Sequence, residues 1–261
     1  MIISRKYKFI FMHSRKCAGS SMEVLLNRYL GPDDIQVGSW PETLIAGGRM
    51  NKRALKDAFG HPSTWYSTLK DLSGSVLRRR ELGLSMVINA SIKRQYRETL
   101  GSKPSCPIAQ SVMLSEPVPW RDYFKFSFVR NPYDFEISVF FWRTKGASGQ
   151  IEFKEFLERK LDSRISDPEG LVPFPATNWP IYSVNNQVAL DYIGRFENLN
   201  YDLMAIGERL GISLNLAFVP KAKSGIRNVI DPSGFYDEES KEMVSFLHNE
   251  ELEYFGYEFP Y

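Results

Sequence analysis

Lys8-Phe9-Ile10-Phe11-Met12-His13-Ser14-Arg15-Lys16-Cys17-Ala18-Gly19-Ser20-Ser21 is the stretch on which the reading of the fold turns. Phe9 to Met12 is a short, near-continuous apolar run, the pattern of a central strand buried on both faces. Beyond Ser20, residues Met22, Leu25, Leu26, Tyr29 and Leu30 fall at i, i+3, i+4, i+7 and i+8. That spacing predicts one face of an amphipathic helix, capped by Ser20 or Ser21 and closed at Gly31-Pro32. A strand feeding a small-residue loop and a helix N-terminus makes an anion site. Ala18 and Gly19 let backbone approach a ligand, and free N–H groups point outward at the positive end of the helix dipole. Lys16 adds a full charge and the serines add hydroxyl donors. An ordinary strand-to-helix turn with a capping serine has the same outline. A nucleotide-triphosphate loop, G-x-x-x-x-G-K-[ST], places its lysine after the glycines. Here Lys16 precedes Gly19, so this is not that loop.

A second landmark repeats the plan. Tyr123-Phe124-Lys125-Phe126-Ser127-Phe128-Val129-Arg130-Asn131-Pro132-Tyr133 reads as a strand, a turn and a helix with proline in its first turn. Ligands of open α/β sheets gather at the carboxyl ends of strands, which puts Arg130 in reach of a site shared with Lys16. Alternatively, such an arginine bridges to an acidic partner.

Composition sets the frame. With 261 residues, 43% hydrophobic and 25% charged, the chain suits one α/β domain with elaborations. A formal net charge of +2 is too small to argue for nucleic acid, and Arg78-Arg79-Arg80 reads as solvated surface. No apolar run approaches the ~20 residues of a membrane span. Two cysteines, Cys17 and Cys106, do not make a disulfide framework, so a reducing, cytoplasmic setting is expected. No cluster of cysteine, histidine and carboxylate offers a metal site.

His-Ser-Arg-Lys-Cys-Ala-Gly-Ser-Ser over residues 13–21 resembles the 5′-phosphosulfate loop of sulfotransferases that use 3′-phosphoadenosine-5′-phosphosulfate (PAPS), commonly Pro-Lys-Thr-Gly/Ala-Gly-Thr-Ser. Arg15, Cys17 and Ser20 depart from it, replacing proline and two threonines. Phe-Val-Arg-Asn-Pro-Tyr over 128–133, with Ser138 eight positions after Arg130, resembles the family's 3′-phosphate segment. The ending Glu253-Tyr254-Phe255-Gly256-Tyr257-Glu258-Phe259 is similar to its C-terminal pattern. The resemblance implies an α/β, three-layer, P-loop-like fold with a central mainly parallel sheet flanked by helices. It spans nearly all of a single domain, 1–261, with a variable insertion at about 71–120 over the acceptor cleft.

The same resemblance implies an activity: transfer of the sulfuryl group from PAPS to an acceptor hydroxyl, a sugar or glycan in the first instance, releasing PAP. Lys16, Cys17, Ala18, Gly19, Ser20 and Ser21 would hold the 5′-phosphosulfate, and Arg130 and Ser138 the 3′-phosphate. Lys223 and Ser224, in the basic loop Pro220 to Arg227, are candidates for further contacts there. Lone histidines are usually caps or packed residues. His61, however, falls where several carbohydrate sulfotransferases carry the general base, and it stands with Lys16 as a catalytic candidate. His13 and His248 fit that role less well. Two other classes remain in view: an ATP-dependent kinase and a PAP-binding protein without catalysis.

Elsewhere, helical spacing is expected over Leu82 to Leu100, Ile151 to Leu161, Asn198 to Leu210 and Glu238 to Tyr254. Loops are expected over Ile35 to Arg49 and 164–180, with Phe174 and Trp179 candidates for stacking on a ring. Glu197-Asn198 reads as a cap for the helix that follows it.

Overall fold

A computed structural model describes residues 1–60, 83–145, 151–215 and 232–261. His61, the Arg78 to Arg80 triplet, Lys223 and Ser224 lie outside the described residues. In chain order the elements that matter are β1 (Ile2–Ser4), β2 (Phe9–Phe11), α1 (Gly19–Asn27), β3 (Ile35–Gln36), α2 (Trp40–Ile45), α3 (Lys52–Phe59) and α4 (Gly83–Gln95). There follow α5 (Arg97–Leu100), α6 (Ala109–Ser115), α7 (Pro117–Asp122), β4 (Phe124–Val129), α8 (Pro132–Thr144), α9 (Phe153–Leu161) and α10 (Trp179–Tyr182). The chain closes through a hairpin of β5 (Ser183–Val184) and β6 (Gln187–Val188), then β7 (Tyr192–Arg195), α11 (Leu199–Leu210), α12 (Glu238–Leu247) and α13 (Asn249–Phe255).

The central sheet has the order β3-β1-β2-β4-β7. β2, β4 and β7 run parallel, with Phe11 opposite Phe126 and Val129 opposite Arg195; β1 is antiparallel to both β2 and β3. Strand alternation divides the core between the two faces. Ile3, Ile10 and Met12 pack with Trp40, Ile88, Ile92, Val112 and Tyr182. On the other face Ile2, Phe9, Phe11, Phe126 and Phe128 pack with Met22, Leu25 and Leu26 of α1 and with Leu203 and Ile206 of α11. Helices therefore cover both faces, and the mixed α/β class with a mainly parallel sheet is what the residues build. A third apolar cluster joins α8, α9 and α12 beside the sheet.

Several local expectations change. Helix α1 begins at Gly19 behind Ala18, and neither serine is its cap. It ends at Asn27 because Tyr29 N–H and Leu30 N–H bond three residues back, to Leu26 and Asn27, tightening the last turn before Gly31. Ile35 to Arg49 holds β3 and α2, elements too short to show a period. The C-terminal helix is two helices broken at His248, whose ring is fully buried between Glu136 and Glu251. Leu84, on the expected apolar face of α4, is exposed, whereas Val87, Ile88, Ile92 and Tyr96 are buried. The described part of the 71–120 segment thus supplies core residues on one face of the sheet.

Candidate active site

Two neighbouring parallel strands deliver the two loops to one place. Beyond β2, Met12 N–H bonds the Phe126 carbonyl at 2.9 Å, and Ser127 Oγ donates to the Met12 carbonyl at 2.7 Å. Ser14 Oγ, buried, donates to the Phe128 carbonyl. The β2 exit is therefore stitched to β4 as far as Ser14. From there the chain turns through two left-handed residues, Lys16 and Ala18, each with φ of 60°, and enters α1. The first intrahelical bond runs from Met22 N–H to the Ala18 carbonyl, so the N–H groups ahead of it have no partner within the helix. An anion is favoured at such an end.

Gly19 also has a reason for being glycine that lies within the protein itself. A Cβ there would lie 2.7 Å from His13 Cγ and closer still to Cδ2 and Nε2. The His13 ring occupies the room a side chain would need.

Arg15 and Cys17 explain how the loop holds its shape without proline and threonine. Asn178 Oδ1 accepts from Arg15 N–H (3.2 Å) and Nε (3.1 Å), and its Nδ2 donates to the Arg15 carbonyl (2.9 Å). Arg15 Nη2 also bonds the Thr177 carbonyl. This clamp ties the loop to the segment entering α10. Cys17 is 1% exposed, and its thiol donates to the Arg15 carbonyl at 3.2 Å. Burial pushes that thiol up to about 12, so it stays neutral and points into the core; only backbone at Cys17 is offered to a ligand.

Arg130 closes the arrangement. Its Nη1 donates to the Lys16 carbonyl at 3.1 Å, and its guanidinium lies 4.4 Å from the Phe196 ring centroid. The expected acidic partner exists: Asp134, one turn on in α8, accepts from Arg130 Nε at 2.5 Å and takes the Tyr261 hydroxyl at 2.8 Å. Arg130 thus serves the loop and an ion pair before any ligand arrives. Ser138, a further turn along α8, is half-buried. Lys16 Nζ lies 5.7 Å from the ring centroid of Trp142, an α8 residue 42% exposed.

Sequence reasoning missed Asn178, Trp142 and the true task of Glu197. Of the Glu197-Asn198 pair, Asn198 stands at the N-cap of α11 without a side-chain cap bond, whereas Glu197 accepts the Asn131 N–H at 2.7 Å and the Tyr257 hydroxyl at 2.9 Å, fixing the turn after Arg130 to the C-terminal segment. Of the two stacking candidates, Trp179 is packed against Tyr182 and Tyr254 with its indole N–H on Asn186. Phe174 is 77% exposed. Among the described residues no cluster of His, Cys, Asp and Glu could hold a metal ion, and no helix is long and apolar enough to cross a membrane.

The model of the sulfotransferase family matches residues 1–257. The chain belongs to that family, whose members transfer sulfuryl groups. No curated protein and no solved structure matches it.

Proposed function

We propose that this protein transfers the sulfuryl group of PAPS to an acceptor hydroxyl, a sugar or glycan in the first instance, and releases PAP. The observation that carries the reading is the Arg130 Nη1 bond to the Lys16 carbonyl. It joins the loop suited to a 5′-phosphosulfate to the residue suited to a 3′-phosphate, at the carboxyl ends of adjacent parallel strands. The residues present fit such a donor: left-handed backbone at Ala18, first-turn N–H groups ahead of the first intrahelical bond of α1, a lysine and a planar guanidinium able to grip phosphate.

The reaction is an in-line displacement, for which a protein supplies mainly position and electrostatics. The acceptor oxygen forms a bond to sulfur, the bond from sulfur to the PAP phosphate oxygen breaks, and the acceptor proton passes to a base. Lys16 and the N–H groups at the start of α1 neutralise charge gathering on the bridging oxygen, an interaction worth ~10²–10³-fold by comparison with oxyanion-hole donors. His61 takes the proton, a role worth ~10²–10⁴-fold. Arg130, Ser138, Lys223 and Ser224 distinguish the 3′-phosphate of PAPS from nucleotides that lack it. Arg130 shares its fork with Asp134, so the 3′-phosphate is read by the face that the carboxylate leaves. Cys17 and Cys106 are free thiols, in keeping with the reducing cytoplasmic setting that belongs to this reading.

The test is transfer of labelled sulfate from PAPS across a panel of hydroxyl acceptors. Lys16→Ala should abolish transfer, and His61→Ala should lower turnover while leaving PAP affinity nearly unchanged. Full activity of His61→Ala on the true acceptor would assign the base elsewhere.

A further inference from the structure

His13 sits at the exit of β2 and is given no part in the reaction proposed above, yet it is built into the loop from beneath. Its side chain is 12% exposed, and its Nδ1 lies 3.1 Å from Glu23 Oε1, an ion-pair approach rather than an in-line hydrogen bond. Glu23 is fully buried on the second turn of α1 and is also paired with the Met1 amine. The Cδ2–Nε2 edge of the same ring presses against the Cα of Gly19, the first residue of α1, where no side chain fits. One imidazole therefore touches the helix at two points, Gly19 in its first turn and Glu23 in its second, with the candidate anion site directly above.

We infer that His13 is a positioning residue: gripped by Glu23 and wedged under Gly19, it sets the angle at which the first turn of α1 offers its N–H groups to the donor's phosphosulfate. The inference rests on the reading of that loop as the donor site. It explains the missing side chain of Gly19 by a contact within the protein, and it gives a function to Glu23, a buried glutamate outside the apolar stripe of α1. The charge state suits the grip. Burial alone would lower the His13 imidazole, but the Cys106 sulfur and the Glu23 carboxylate outweigh it and raise it to about 9. Burial would likewise raise Glu23, yet the Met1 amine and His13 hold it down at about 2. The two partners are thus oppositely charged at neutral pH, with the thiol of Cys106 and the Met1 amine as the other titratable groups facing them.

The experiment is a calorimetric titration of PAP into the intact protein and into His13→Ala, His13→Gln, Glu23→Gln and the Glu23→Gln/His13→Ala pair, with Arg130→Ala as the control for the site. His13→Ala should weaken PAP about tenfold, the scale set by outer-sphere partners in other sites, and His13→Gln should recover part of that loss. Glu23→Gln should weaken PAP on its own and add nothing once His13 is alanine. Should the variants fail to fold, the unaltered protein still decides: the His13 ring nitrogen resonances should move when PAP is added. Unchanged PAP affinity in His13→Ala, additive losses in the pair, or unmoved resonances would overturn the inference and leave the proposed function standing. An intact protein that does not bind PAP would remove both.

Discussion

Cys17 and Cys106 are chemically opposite thiols in one chain. Cys17 is sealed under the loop and held neutral by burial, pushed up to about 12. Cys106 also feels burial, but the His13 cation beside it wins and brings it down to about 7. A thiol reacts as its thiolate, so the sign is direct: alkylation of Cys106 by iodoacetamide should rise through a midpoint near pH 7. In His13→Gln the cation is gone and the midpoint should move up, while Cys17 stays unmodified in the folded protein. A wild-type midpoint at the ordinary thiol value would contradict this account of the pair. The same residue scale shows why Arg15 can replace a proline. Proline fixes one dihedral by covalent geometry, whereas Arg15 is fixed by bonds to Asn178 and Thr177. None of that was legible locally, because the partner is 163 positions away.

Elements were legible where their pattern is local and long enough. The apolar run of β2, the stripe Met22-Leu25-Leu26 and the Val129-Arg130-Asn131-Pro132 turn each declare themselves within a dozen residues. The α12–α13 break at His248 did not, since the apolar period runs through a residue whose ring is held between Glu136 and Glu251. Glu197 was misread for a related reason: it sits beside the start of a helix, as caps do, but its carboxylate turns to Asn131 and Tyr257. At β7 the sequence offers Gly194, and packing gives the reason. A Cβ there would stand 2.6 Å from Phe128 Cε1, in a sheet pair that carries the Arg130 turn. Gly194→Ala should therefore destabilise by ~1–3 kcal/mol through overpacking, measured by denaturant unfolding. A neutral result would mean that Phe128 moves aside without cost.

Across the molecule, the β-sheet and its two covers hold the loops, and a separate buried polar network locks the C-terminal helices to α8. Glu136 on α8 pairs with Lys160 and His248, and Glu251 pairs with His248 and the Tyr182 hydroxyl. Burial, reinforced by Glu136, pushes Glu251 up to about 8, against the opposing pull of Lys160 and Arg15. In the folded protein this carboxyl keeps its proton to about pH 8, whereas unfolded it loses it near the ordinary 4.5. Folding then takes up a proton throughout that window, and its contribution to stability falls as pH rises from about 4.5 to about 8. Replacing Glu251 by glutamine, neutral at every pH, should shift the stability difference in the variant's favour as pH climbs through the window, with no further change above it. A difference independent of pH, followed by urea unfolding, would show that Glu251 is ionised when folded.

The central claim is a site for the 3′-phosphate beside the phosphosulfate loop, and the thermal unfolding midpoint tests it most directly, compared with PAP, with ADP, and with ATP plus magnesium. At ~100 times its dissociation constant a ligand adds ~2.7 kcal/mol of apparent stability. PAP should give a shift that far exceeds that with ADP and disappears in Arg130→Ala. No shift with PAP, or a larger one with ATP and magnesium, would contradict it.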